Sequence, residues 1–80
     1  MVDHITEEQI AKDFGQFLKE ARLRQGLYQD MVAARAGLAQ GYYSNIERGE
    51  RMPTLLVSLK LCEILGLNYN DFLEPYIKNK

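Results

Sequence analysis

Glycines at positions 26, 37, 49 and 66 and prolines at 53 and 75 cut this 80-residue chain into segments of about 8–20 residues. In most segments the apolar residues recur every three or four positions, the period of a helix that buries one face; none alternates convincingly as a strand would. The first helix is expected to open at Thr6, where Thr6-Glu7-Glu8-Gln9 fits a capping box. Its apolar stripe is Ile10, Phe14, Phe17, Leu18 and Ala21, and it stops near Gly26. A second helix is expected from about Tyr28 to Ala36, with Gly37 taking the left-handed conformation that ends it. A third covers about Gln40 to Arg48, closed by Gly49. A fourth starts at Thr54 after Pro53 and ends at Gly66, and a short fifth starts at Asn68 and is limited by Pro75. The expected fold is all-α. Residues 1–80 form one domain, with a long first helix from about residue 6 and a short tail over 77–80.

Composition narrows the function classes. With 46% hydrophobic and 26% charged residues the chain is globular rather than disordered. At this length it buries only about 60% of its unfolded surface, too little to enclose a catalytic cavity. One cysteine and one histidine make neither an internal disulfide nor a four-ligand zinc site. No apolar run approaches the ~18 residues of a membrane span, and the start MVDHITEEQI is acidic, unlike a secretory leader. The protein is expected to be cytoplasmic, reduced and intact, without cofactor, metal or small-molecule ligand. No titratable pair is placed for acid/base chemistry and no glycine-rich phosphate loop is present, so an enzyme is not expected.

The net charge of −1 hides an uneven distribution: residues 1–20 carry −3, residues 21–60 carry +3 and residues 61–80 carry −1. The basic middle holds Arg22, Arg24, Arg35, Arg48, Arg51 and Lys60 against Asp30, Glu47 and Glu50. Such asymmetry permits an anionic partner on one face.

Residues 29–46 carry the sharpest signal. Gln29, Ala33, Gly37, Tyr43 and Ile46 have the spacing of two helices joined by a tight turn. A small Ala33 lets the second helix cross closely, and Gly37 turns the chain without a Cβ clash. Tyr43 and Ile46 plug the following helix against the first. On a helical wheel, Gln40, Gly41, Ser44, Asn45 and Arg48 occupy the opposite arc, within about 140° of one another. That arc offers amides, a hydroxyl and a guanidinium but no carboxylate. These groups suit base edges and phosphates.

From Phe14 to about Phe72 the chain resembles the Cro/repressor-type (Xre) helix-turn-helix family. The resemblance is carried by Phe14-Gly15, Arg22, Gly26-Leu27-Tyr28-Gln29, Ala33, Gly37-Leu38, Tyr42-Tyr43-Ser44, Ile46-Glu47-Arg48-Gly49, Arg51, Pro53 and Leu65-Gly66. It implies a compact five-helix, lambda-repressor-like domain that binds duplex DNA, usually as a two-fold dimer, with the third helix in the major groove. By matched position it implies that Gln29 contacts phosphate and that Gln40 leads the base readers. Gly41, Ser44 and Asn45 follow along the groove, Tyr42 flanks it, and Arg48 and Arg51 hold the backbone. It also implies a structural ion pair between Arg22 and Glu47. Tyr28 and Ala39 depart from the family's usual Ser or Thr N-caps, each worth roughly 1 kcal/mol. Ser58 stands at a usual core leucine position and Leu56 at a usual polar one. Proteins of this build occur as phage and mobile-element repressors and as controller proteins of restriction-modification systems. With no room for an appended sensor domain, regulation is expected to come from the protein's own concentration and operator affinity.

Other residues have plainer readings. Cys62 is expected in the core, His4 without a role, and Glu7 and Glu8 in a solvated first turn that favours the helix dipole. Arg24 and Arg35 are expected to be solvated; Tyr42 fits either the core or the DNA flank. Helix four is apolar around its whole wheel, which a protein this small cannot bury alone. A homodimer using some of Leu56, Leu67, Tyr69, Phe72, Leu73 and Tyr76 is therefore expected. The alternative function is an antitoxin-like protein-interaction module that binds DNA weakly.

Overall fold

Five helices follow one another in the computed structural model, which describes residues 6–77: α1 (Glu7–Arg24), α2 (Gln29–Ala36), α3 (Gln40–Glu47), α4 (Leu55–Leu65) and α5 (Tyr69–Ile77). His4 and the tail beyond residue 77 lie outside the described residues. No strand occurs among them, and no helix is long and apolar enough to cross a membrane.

Local chemistry sets the helix ends. Thr6 Oγ1 accepts from Gln9 N–H at 3.1 Å and Thr54 Oγ1 from Val57 N–H at 3.2 Å, so α1 and α4 have side-chain N-caps. The capping box at Thr6 forms only in half: the Gln9 amide runs forward to Asp13 Oδ1 at 2.9 Å instead of back to Thr6. Neither Tyr28 nor Ala39 supplies a side-chain cap to α2 or α3. At the other end of α2, Gly37 lies at φ 69°. There Leu38 N–H reaches Ala33 O at 2.9 Å and Gly37 N–H reaches Ala34 O at 3.1 Å, which satisfies the last carbonyls of the helix.

The core joins all five elements. Phe14, Leu18 and Ala21 of α1 meet Val32, Ala33 and Ala36 of α2, Tyr43 and Ile46 of α3, and Leu61, Cys62 and Leu65 of α4, with Phe72 of α5 closing one end. Ser58 is fully buried, and its hydroxyl donates to Thr54 O at 2.9 Å. Burial pushes the Cys62 thiol up to about 11, which keeps it an inert core group.

Two expectations are corrected at α5. Pro75 does not limit the helix but lies within it. Only one backbone bond is lost in the last turn, and packing outweighs that loss. Phe72 sits 5.0 Å (centroid to centroid) from Phe14 and 5.7 Å from Phe17, the Phe72 and Tyr76 rings are 5.5 Å apart, and the Tyr76 hydroxyl donates to Asp13. The same packing removes Phe72 from the expected dimer surface, because it is 6% exposed inside the domain's own core. Leu67, Tyr69, Leu73 and Tyr76 are likewise half-buried against that core. Besides Leu23, Tyr28 and Ile77 elsewhere, exposed apolar surface lies on the first two turns of α4. Leu56 is 71% exposed, with Leu55 and Leu59 beside it at the spacing of one helix face.

Candidate nucleic-acid interface

Helix α3 is only eight residues long, too short to be stable alone, so its direction is set by what holds its inner face. Tyr43, Ile46 and Glu47 are buried there. Glu47 is the hub. Arg22 of α1 donates to it twice, Nε to Oε2 at 2.6 Å and Nη2 to Oε1 at 2.9 Å. The third arm of the guanidinium, Nη1, reaches Leu27 O in the α1–α2 turn at 2.9 Å. Gln29 Nε2, at the start of α2, also donates to Glu47 Oε1 at 2.9 Å. One carboxylate thus ties α1, the turn and α2 to the end of α3.

Electrostatics follow from that geometry. Burial alone would raise the Glu47 carboxyl, but hydrogen bonds, led by those from Arg22, outweigh it and hold the group below the usual carboxylate range. The Arg22 guanidinium is raised, chiefly by its hydrogen bonds to Glu47. Burial, and then the neighbouring Glu47, hold the Tyr43 phenol far above its ordinary value, so it stays neutral beneath the pair.

Close approach of backbones completes the seat. A methyl group at Gly15 of α1 would lie 2.5 Å from the Glu47 carbonyl oxygen and nearer still to that of Ile46, so α3 rests directly on the α1 backbone. At the loop after α3, a Cβ on Gly49 would meet Lys12 Cα at 2.7 Å.

The outer face of α3 carries the residues expected at DNA. Gln40, Gly41 and Arg48 are exposed, and Tyr42, Ser44 and Asn45 are half-exposed. Nothing lies within 4 Å of where a Gly41 side chain would project, so that position is open for close approach. Tyr42 packs against the core edge and has the Arg51 guanidinium 6.0 Å from its ring centroid, a cation–π contact that links flank and loop. Arg48 Nη1 donates to Ser44 Oγ at 2.7 Å and Nη2 to Asn45 Oδ1, so these three side chains form one network. Gln29 stands slightly apart. One of its amide protons is committed to Glu47, which leaves the other for a phosphate.

Two contacts escape the sequence reading. The tie of Gln29, expected at phosphate, to Glu47 depends on how α2 crosses α3. The second is Glu50, whose Oε2 accepts from Arg48 Nε at 3.2 Å. Two positions apart on a helix these side chains would not face each other. The reversal at Gly49, φ 78°, brings them together. The carboxylate-free arc of α3 therefore has an acid laid over one end from the loop.

Comparison with known proteins agrees with this geometry. The family whose profile matches is described as Helix-turn-helix, and it matches residues 18–72. The uncharacterized HTH-type transcriptional regulator YqaF of Bacillus subtilis (strain 168) is 41% identical over 58 residues, covering 72% of this chain and 76% of that protein. The fold is similar to that of the restriction-modification controller protein C.AhdI from Aeromonas hydrophila, with a TM-score of 0.72, 35% identity, and coverage of 78% of this chain and 94% of that one. It also matches the controller protein C.Esp1396I, solved as a tetramer with its natural 35-base-pair operator. There the TM-score is 0.72 at 28% identity, covering 86% of this chain and 91% of that one. None of these relatives is described as an interaction module of the antitoxin kind.

Proposed function

The chain belongs to the helix-turn-helix family of DNA-binding transcriptional regulators, and we propose that it acts as a two-fold dimer on an inverted-repeat operator. The observation that carries this reading is the outer face of α3: amide, hydroxyl and guanidinium groups project from a helix whose inner face is clamped by Arg22, Glu47 and Gly15. A rigidly seated helix of this kind fits the major groove, and its dimer mate would enter the next groove about 34 Å away. The regulator works in the cytoplasm and has no enzymatic chemistry of its own.

Roles follow from position. Gln40 leads the base contacts, with Ser44 and Asn45 behind it and Gly41 allowing close approach to the groove. Arg48 and Arg51 hold phosphates from the end of α3 and its loop, Tyr42 lines the flank, and Gln29 reaches the backbone from α2. The second copy docks on Leu55, Leu56 and Leu59, the apolar face of α4 that this domain leaves exposed.

Selection from a random duplex pool at about 150 mM salt is expected to enrich an inverted repeat with half-sites one helical turn apart. Gln40→Ala is expected to cost about 1–3 kcal/mol on that operator and to relax one base position, whereas Arg48→Ala weakens all sequences alike. Equal losses on operator and random duplex for Gln40→Ala would remove the base-reader role. Light scattering of wild type and Leu56→Glu tests the dimer: a charge in the apolar face is expected to yield monomer, and a wild-type mass near 9 kDa at micromolar concentration would exclude the assembly.

A further inference from the structure

Four helices end at a glycine of positive φ, and the residue after it occupies the same place in each turn. After α1, α2 and α4 that residue is Leu27, Leu38 or Leu67, each packed against the core. After α3 it is Glu50. Its N–H donates to Asn45 O at 2.9 Å, which fixes the backbone, but its side chain is exposed and lies back along the helix. There its carboxylate takes Arg48 Nε at 3.2 Å and, through Oε1, Arg48 Nη2 at 3.4 Å. The same guanidinium holds Ser44 and Asn45. The free protein thus has an anion of its own seated on the cation expected to meet DNA.

We propose that Glu50 is an internal phosphate mimic: its carboxylate occupies Arg48 until a DNA phosphate displaces it, and so holds down affinity for duplex of any sequence. The inference rests on the DNA-binding reading above. A carboxylate and a phosphate offer a guanidinium the same pair of acceptor oxygens, so the two compete for one group. Binding then exchanges one ion pair for another instead of adding one, and the displaced carboxylate stays close to the DNA backbone because the Glu50 main chain is pinned. Sequence-independent binding consists almost wholly of such phosphate contacts, so it registers the exchange directly.

The experiment measures binding of a random-sequence duplex between 50 and 200 mM salt for wild type, Glu50→Gln, Arg48→Ala and the double variant. Glu20→Gln, an exposed acid on α1, controls for the change in net charge. Glu50→Gln is expected to bind about 2–5-fold tighter per subunit, the range of exposed ion pairs. Its salt slope should steepen by about 0.9 per subunit, one additional phosphate. Glu20→Gln is expected to do neither. In the Arg48→Ala background most of the gain from Glu50→Gln is expected to disappear, leaving only the weak repulsion of a carboxylate near the DNA backbone. Persistence of the full gain there would overturn the proposal, because Glu50 would be acting on DNA by repulsion alone. Weaker binding by Glu50→Gln would also overturn it and make the residue a support of the α3 face. Wild type that binds duplex while Glu50→Gln matches it sinks this inference alone; wild type that binds no duplex at 50 mM salt sinks the DNA-binding reading with it.

Discussion

Glu47→Ala is expected to remove about 3–5 kcal/mol of stability at pH 7, because it leaves the Arg22 guanidinium buried without its counter-charge. The side chains of this pair are 9% and 2% exposed, so water cannot replace the lost partner. For a chain of 80 residues the total stability is on the order of 4–12 kcal/mol, and the substitution takes a large share of it. Denaturant titration followed by helical circular dichroism measures the loss. The companion variant Arg22→Met with Glu47→Leu is expected to recover much of it, since two apolar side chains leave no buried charge. A single-variant loss below about 1 kcal/mol would mean that the pair behaves like an exposed one. The same carboxylate predicts acid sensitivity. Its folded pKa is depressed below the ordinary 4.5, so its contribution is present above that pH and fades as pH falls through the folded value. Wild type is expected to lose stability more steeply below about pH 4.5 than Glu47→Gln, whose stability is already reduced at neutral pH.

Gly15→Ala is expected to destabilise the protein by about 1–3 kcal/mol, although alanine is the better helix former by about 1 kcal/mol. The propensity gain is overridden because the added methyl would press on the Ile46 and Glu47 carbonyls, which are backbone atoms that cannot swing aside. Helix α3 must lift from α1, and the two short Arg22–Glu47 bonds lengthen with it. Gly41→Ala is the internal contrast. It lies in α3 with open space around it, so the same substitution there is expected to stabilise the fold by up to about 1 kcal/mol. Urea midpoints of the two variants should therefore move in opposite directions. A neutral or stabilising Gly15→Ala would show that α3 does not rest directly on the α1 backbone.

Gly37, Gly49 and Gly66 end the second, third and fourth helices where the sequence places those ends, Thr6 caps where expected, and the fourth helix opens at Thr54. The five-helix order, the inward Tyr43 and Ile46 and the outward Gln40, Ser44 and Asn45 were likewise legible. These features depend on residues a few positions apart, and one helical turn is enough to express them. Recognition of the Arg22–Glu47 partnership came from family resemblance; no spacing rule pairs residues 25 apart, and the folded chain brings them to 2.6 Å.

What tertiary structure alone decided lies where two distant segments compete for one group. Phe72 turned inward because Phe14 and Phe17 offered it an aromatic pocket, while Leu55, Leu56 and Leu59 stayed exposed. Pro75 stayed inside α5 because the packing of Phe72 and Tyr76 on α1 outweighs one missing backbone bond. Gln29 found Glu47 across a helix crossing, whereas the Arg48–Glu50 contact is local and follows from the turn at Gly49. Hydrophobic period and capping chemistry act along the chain and are written in it. Burial and charge pairing depend on which segments meet, and that is settled only when the helices pack.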